Sequence, residues 1–233
     1  MTAKRKLNAL ILVTILWTTN LWAGDTATFV DLGFSADGKI YAFAQYGVLA
    51  GTLKPWAELF VVDVAQNNFV SGGRVSFTHD SPIVAGQDGS GALYRIITRN
   101  ITLIDRYGVN FLLQGQPLFI SLDEPASPPR QTVEFRDFNA GAFYRASLVS
   151  TVEGAGTALT SSFRIDLERT GRDGSKKNYV VGTPALKRPQ IASYRILKVI
   201  TAPNDGSMIM IIEMKRQNGA DYDIRYMVEA LHP

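Results

Sequence analysis

Cysteine is absent from all 233 residues, and histidine occurs only at His79 and His232. The first absence excludes disulfides and thiol chemistry. Together they nearly exclude the usual zinc and iron centres, which draw on several thiolates or imidazoles. Other signatures are missing as well. There is no G-x-S-x-G elbow, no lysine of the Walker kind after a glycine-rich turn and no D-x-D-x-D-G calcium loop. The common hydrolase, nucleotide and calcium motifs therefore give no support, and no catalytic residue, metal or cofactor is expected. A retained transmembrane anchor is the weaker reading of the start of the chain. The longest apolar stretch, residues 7–22, is 16 residues long and is interrupted by Thr18, Thr19 and Asn20, whereas a span needs about 20.

That stretch has a different use. Lys4, Arg5 and Lys6 precede it, and Leu21-Trp22-Ala23 follows it with a small residue at the end. A basic start, an apolar middle and a small-residue exit are the pattern of an export signal, with the cut expected after Ala23 or Gly24. Residues 24–233 then remain as one secreted domain, and with no cysteine to acylate it keeps no lipid anchor. The expected address is the periplasm, with no stable membrane insertion after cleavage. Removal of residues 1–23 takes three of the 24 basic residues and none of the 21 acidic ones. The net charge of +3 belongs to the leader, and the balanced remainder gives no sign of a nucleic-acid surface.

Alternation of period two dominates what is left. Between Ala158 and Glu168, Leu159, Ser161, Phe163, Ile165 and Leu167 share one face, while Thr160, Ser162, Arg164, Asp166 and Glu168 share the other. This is a half-buried antiparallel strand. Similar runs occupy residues 39–46, 58–64, 132–138, 143–152, 194–201, 207–214 and 223–230, so eight or more strands are expected. One segment departs from the pattern. Leu93, Ile96, Ile97, Ile101 and Ile104 recur at helical spacing with Arg95, Arg99 and Arg106 off the stripe. A single amphipathic helix over about 90–107 is expected, with Asp88 or Ser90 able to cap its start and Gly108 its end, and its isoleucine-rich face suits packing on a sheet. Asp173-Gly174 suits a hairpin turn between the Phe163 strand and Tyr179-Val180-Val181. Asp123 to Arg130, with three prolines, suits a longer connection.

A unit occurs twice. Phe34-Ser35-Ala36-Asp37-Gly38-Lys39 precedes IYAFAQYG and then AELFVVDV; Ala202-Pro203-Asn204-Asp205-Gly206-Ser207 precedes MIMIIEMK and then YDIRYMVEAL. The Asp-Gly turn leading into an apolar strand resembles the blade repeat of TolB-type β-propellers. With only two copies and a helix between them, the expected fold is mainly β: antiparallel sheets with blade-like units in a two-sheet or partial-propeller arrangement, plus the packed helix. The segments FVDLGFSADGKIYAFAQYGV, AELFVVDVAQNNFVSGG, RYGV, GTPALKRPQIASYRI and DIRYMVEAL resemble, in that order, a family of bacterial predicted secreted proteins of unknown function. The resemblance implies export and a shared domain, and it transfers no catalytic residues.

Three groups of residues invite a chemical reading. His79-Asp80-Ser81 holds the residue types of nucleophilic hydrolysis, yet neighbours on an extended chain point to opposite faces, and a polar turn before Pro82 accounts for them. Residues 86–91, GQDGSG, offer backbone N–H groups to an anion at a helix start, but a flexible lead-in to the helix explains them as well. The carboxylates Asp63, Glu134, Asp166, Glu213, Asp221, Asp223 and Glu229 leave open a periplasmic hydrolase acting on glycan or peptide through a pair gathered from different strands. The aromatics carry more. Tyr46, Trp56 and Tyr226, with Glu58 and Arg225, belong to or flank the two repeated units and suit a binding face for an envelope protein or a glycan. The expected function is non-catalytic binding or protein interaction.

Overall fold

The computed structural model describes residues 24–122, 130–219 and 221–233. The expected leader, residues 123–129 of the expected proline-rich connection and Ala220 lie outside the described residues. The chain is mainly β, in three antiparallel sheets. In the amino-terminal sheet, β1 (Thr28–Ser35), β2 (Ile40–Val48), β3 (Pro55–Asp63) and β4 (Asn68–Thr78) run as a meander, and β5 (Val109–Asn110) pairs with the outer side of β1. The outer sheet is a second meander of β7 (Arg130–Asp137), β8 (Ala142–Glu153), β9 (Thr160–Thr170) and β10 (Lys176–Val181), with β11 (Arg188–Pro189) on β9. The central sheet takes β6 (Gln116–Ile120) beside β12 (Ile191–Thr201), β13 (Met208–Asn218) and β14 (Asp221–Leu231).

The central sheet is apolar on both faces because it has a sheet on each side. Along β13, Met208, Met210 and Ile212 pack with Phe135, Tyr144 and Phe163 of the outer sheet, while Ile209 and Ile211 pack with Phe34, Phe43 and Phe60 of the amino-terminal sheet. Burial on both faces is what turns alternation into the near-continuous run MIMII. The amino-terminal sheet is also covered twice. Tyr41, Phe43, Phe60 and Val62 face the central sheet, and Ala42, Ala44, Ala57, Leu59 and Val61 face a helical layer. The small side chains on that second face let the helix approach closely. The expected two-sheet arrangement thus extends to three sheets and one helical layer.

That layer is α1 (Ser90–Arg99) followed by α2 (Ile101–Arg106), with Ala92, Leu93, Ile96 and Ile104 turned inward. The apolar stripe is continuous, but the backbone leaves the helical region at Asn100, whose Nδ2 donates to the Ile96 carbonyl at 2.8 Å. A side chain that satisfies the preceding turn's carbonyl competes with the backbone N–H and divides the helix in two.

The two Asp-Gly turns meet in space although 168 residues separate them. Asn204 Nδ2 donates to the Ala36 carbonyl at 2.6 Å, and a Cβ placed on Gly38 would lie 2.5 Å from the Asp205 carboxylate. The outer edge of β14 is also covered. Its N–H groups at Ile224, Tyr226 and Ala230 donate to the Asp25 carbonyl (2.8 Å), Gln45 Oε1 (2.8 Å) and Asn67 Oδ1 (2.7 Å). One backbone carbonyl and two side-chain amides stand in for a neighbouring strand, which protects an edge that would otherwise pair with another chain.

Candidate functional site

The cover on β14 creates a site. Residues of β2, β3 and β4, of β13 and β14, and of the connection into β11 come together there. The result is a cleft of 680 Å³ lined by all three sheets, within the size range of ligand pockets. Trp56, Glu58, Arg225 and Tyr226 line it together. Tyr46 does not: it shares the face of Ala42 and Ala44 and packs toward the helices. Its neighbour Gln45, on the same face as Tyr41 and Phe43, lines the cleft instead.

The base of the cleft is a compact polar knot. Asp25 Oδ2 accepts from Trp56 Nε1 at 2.9 Å and from Arg225 Nη2 at 2.8 Å. The Arg225 guanidinium lies 4.2 Å from the Trp56 ring centre, and its Nη1 donates to the carbonyls of Ile224 (2.8 Å) and Asp25 (3.2 Å). This is the stacked, forked geometry that arginine offers and lysine cannot. The Asp25 N–H donates to Asp223 Oδ1 at 3.0 Å. Burial raises the Asp25 carboxyl above its ordinary pKa, and the Arg225 charge opposes that rise. Glu58 accepts from Gln45 Nε2 at 2.7 Å and faces Arg74 at 3.7 Å. The Tyr226 ring meets Phe29 edge-on, and burial raises its phenol pKa.

The rim is open. Phe69 is 45% exposed and Leu186 is 51% exposed. Arg74 and Arg216 add exposed cations, and Arg216 Nη2 donates to Gln190 Oε1 at 3.4 Å. Deeper in, Arg188 lies 4.9 Å from the Phe163 ring centre and 3.7 Å from Glu229. Burial raises the Glu229 pKa, opposed by Asn67 and Arg188.

The remaining sequence candidates have local work. Ser81 N–H donates to His79 Nδ1 at 3.1 Å, a self-bonded turn. Asp88 Oδ1 accepts from Ser90 Oγ at 2.5 Å and from the Ser90 N–H at 2.9 Å, and those bonds hold its carboxyl below the ordinary pKa. A carboxylate thus already occupies the helix start. Glu134 pairs with Arg145, Asp166 with Arg164, and Glu213 with Arg195. Asp63 accepts from the Gln66 N–H. A second cleft of 690 Å³ lies beside the start of α1 among Pro55, His79, Asp88 and Arg95, and it holds none of the five aromatic-site candidates.

Sequence reasoning missed Asp25, Gln45, Phe69, Arg74, Leu186, Arg188 and Arg216. Only Gln45 had a readable signal, its parity with Tyr41 and Phe43.

Fold and cleft define a mainly antiparallel-β protein with a concave surface where its sheets meet. Among the described residues no helix is long and apolar enough to cross a membrane. Residues 42–232 match the family described as "Predicted secreted protein (DUF2259)", and the chain belongs to that family. No curated protein and no solved structure matches it.

Proposed function

We propose that residues 1–23 direct export and are removed, and that the remaining single domain works in the periplasm as a non-catalytic recognition module, holding an envelope protein or glycan in the cleft. The observation that carries this reading is the division of the cleft into a fixed base and an open rim. Trp56 and Arg225 are locked by Asp25, whereas Phe69, Leu186, Arg74 and Arg216 offer apolar and cationic contact to a visitor. Interfaces concentrate binding energy in aromatic and arginine side chains held in this way. The Asp-Gly units belong to the reading as blade-like modules whose stacking builds the cleft wall. The hydrolase alternative finds less support. Asp25 and Asp223 approach each other, and at 5% and 7% exposure both are buried away from solvent.

The test uses rim substitutions, because Trp56 and Arg225 are structural. Wild type, Phe69→Asp, Leu186→Asp and Arg216→Glu are immobilised and exposed to envelope extract and to a glycan array, with Phe138→Asp on the outer sheet as control. The expected result is that rim variants lose ligands that the wild type and Phe138→Asp retain, with unchanged thermal melts. Equal recovery by every variant would place recognition elsewhere.

A further inference from the structure

The knot at the base of the cleft is short of one positive charge. Asp25 and Asp223 are both buried, and Arg225 is the guanidinium between them, 2.8 Å from Asp25 and 3.9 Å from Asp223. Arg216 is the cross-strand partner of Asp223, but its guanidinium turns to Gln190. Asp223 also accepts from Asn218 Nδ2 at 3.3 Å, but among the described residues the two buried carboxylates have one close cation, and the surplus negative charge is costly unless paired. There is also an unused acceptor. Asp25 Oδ1 is buried and has no hydrogen-bond partner among the described residues.

The chain just before Asp25 is placed to answer the surplus charge. Gly24 passes so close to β14 that a Cβ on it would lie 1.8 Å from the Tyr222 carbonyl oxygen. Only glycine fits that seat. One residue of backbone spans at most about 3.6 Å, so the Gly24 nitrogen lies within one residue's length of the Asp25 N–H, which itself touches Asp223. Gly24 also follows Ala23, the small residue at which the export signal is expected to end.

We propose that export cuts the chain between Ala23 and Gly24, and that the new α-ammonium of Gly24 is the missing cation of the Asp25–Asp223–Arg225 knot. Water adds across the amide under an export peptidase, leaving a carboxylate on Ala23 and an ammonium on Gly24. The ammonium pairs with Asp223 and fixes residues 24–27 against β14, where Ala27 N–H already donates to the Ile224 carbonyl at 3.1 Å. Processing therefore finishes the base of the cleft as well as releasing the protein. A cut after Gly24 would leave the seat on Tyr222 empty.

This inference rests on reading residues 1–23 as an export signal, and the two can fail separately. Intact mass and amino-terminal sequencing of the exported protein report the cut. A start at Gly24 is expected; an exported chain that keeps residues 1–23 overturns the signal reading, and a cut at any other bond overturns the inference alone. Three proteins are then compared: one beginning at Gly24 with a free amine, one Nα-acetylated at Gly24, and one that retains Trp22-Ala23 ahead of Gly24. The free-amine protein is expected to melt about 2–4 °C above the other two. In an Asp223→Asn background that gap should close, which assigns it to the ion pair. Equal melting of all three in the wild-type background, or a gap that survives Asp223→Asn, overturns the proposal.

Discussion

The central and outer sheets are both built on four antiparallel strands, yet their sequences read differently. In the outer sheet β9 alternates, with Phe163, Ile165 and Leu167 inward and Arg164 exposed. In the central sheet β13 carries five successive buried apolar residues from Met208 to Ile212. Propensity does not separate them; the number of covered faces does. A sheet at the end of a stack needs one apolar face and a sheet inside it needs two, so the run length of apolar residues reports the layer a strand occupies. The same difference explains the cleft. An interior sheet has covered faces but still has edges, and the edge of β14 is where side chains of the amino-terminal sheet gather.

The sharpest way to break this comparison is to put a charge on each face in turn. In β13, Met210→Asp and Ile211→Asp face opposite layers, and both are expected to prevent folding. In β9 only the inward position should behave so: Ile165→Asp unfolds, while Asp166→Ala stays within about 0.5 kcal/mol in denaturant titration. Tolerance of either β13 substitution would mean that one face of the central sheet is not a core.

The next effect separates ion pairs by layer. Arg225→Ala leaves Asp25 buried without its guanidinium and is expected to cost about 3–5 kcal/mol. Arg164→Ala removes the surface pair with Asp166, seen at 3.0 Å, and should cost less than about 1 kcal/mol. Similar losses at the two sites would contradict the burial argument.

The smallest effect is a pH dependence at the seam between sheets. Burial raises the Glu229 pKa above its ordinary 4.5. A carboxyl with a raised folded pKa contributes stability that is complete below the unfolded value and is lost as pH rises through the folded one. Wild type should therefore gain on Glu229→Gln as pH falls from 7 toward 4.5. A gain in the opposite direction would mean that Arg188 and Asn67 outweigh burial.

Strands and helix were legible because periodicity is local. The Ala158–Glu168 alternation and the isoleucine stripe of α1 and α2 each follow from which neighbours share a face. The division at Asn100 was not foreseen, since it depends on one side-chain amide finding one carbonyl. The third sheet was hidden for a different reason: the run in β13 marks two-sided burial but does not name the covering layers. Trp56, Glu58, Arg225 and Tyr226 come together because β3 and β14 face each other across the seam between sheets. Tyr46 falls away by parity, its side chain on the face whose small alanines admit the helix. Arg188 and Leu186 arrive from a distant connection, and no local pattern announces such a contact.

Recognition at the seam, and not on the outer sheet, is the central claim. It is tested most directly by placing a photo-crosslinking phenylalanine analogue at Phe69 on the cleft rim or at Val180 on the exposed outer sheet, then irradiating intact envelopes. Discrete adducts are expected from position 69, abolished when Leu186→Asp is added, and none from position 180. Adducts from position 180 alone, or adducts from position 69 that persist with Leu186→Asp, would contradict it.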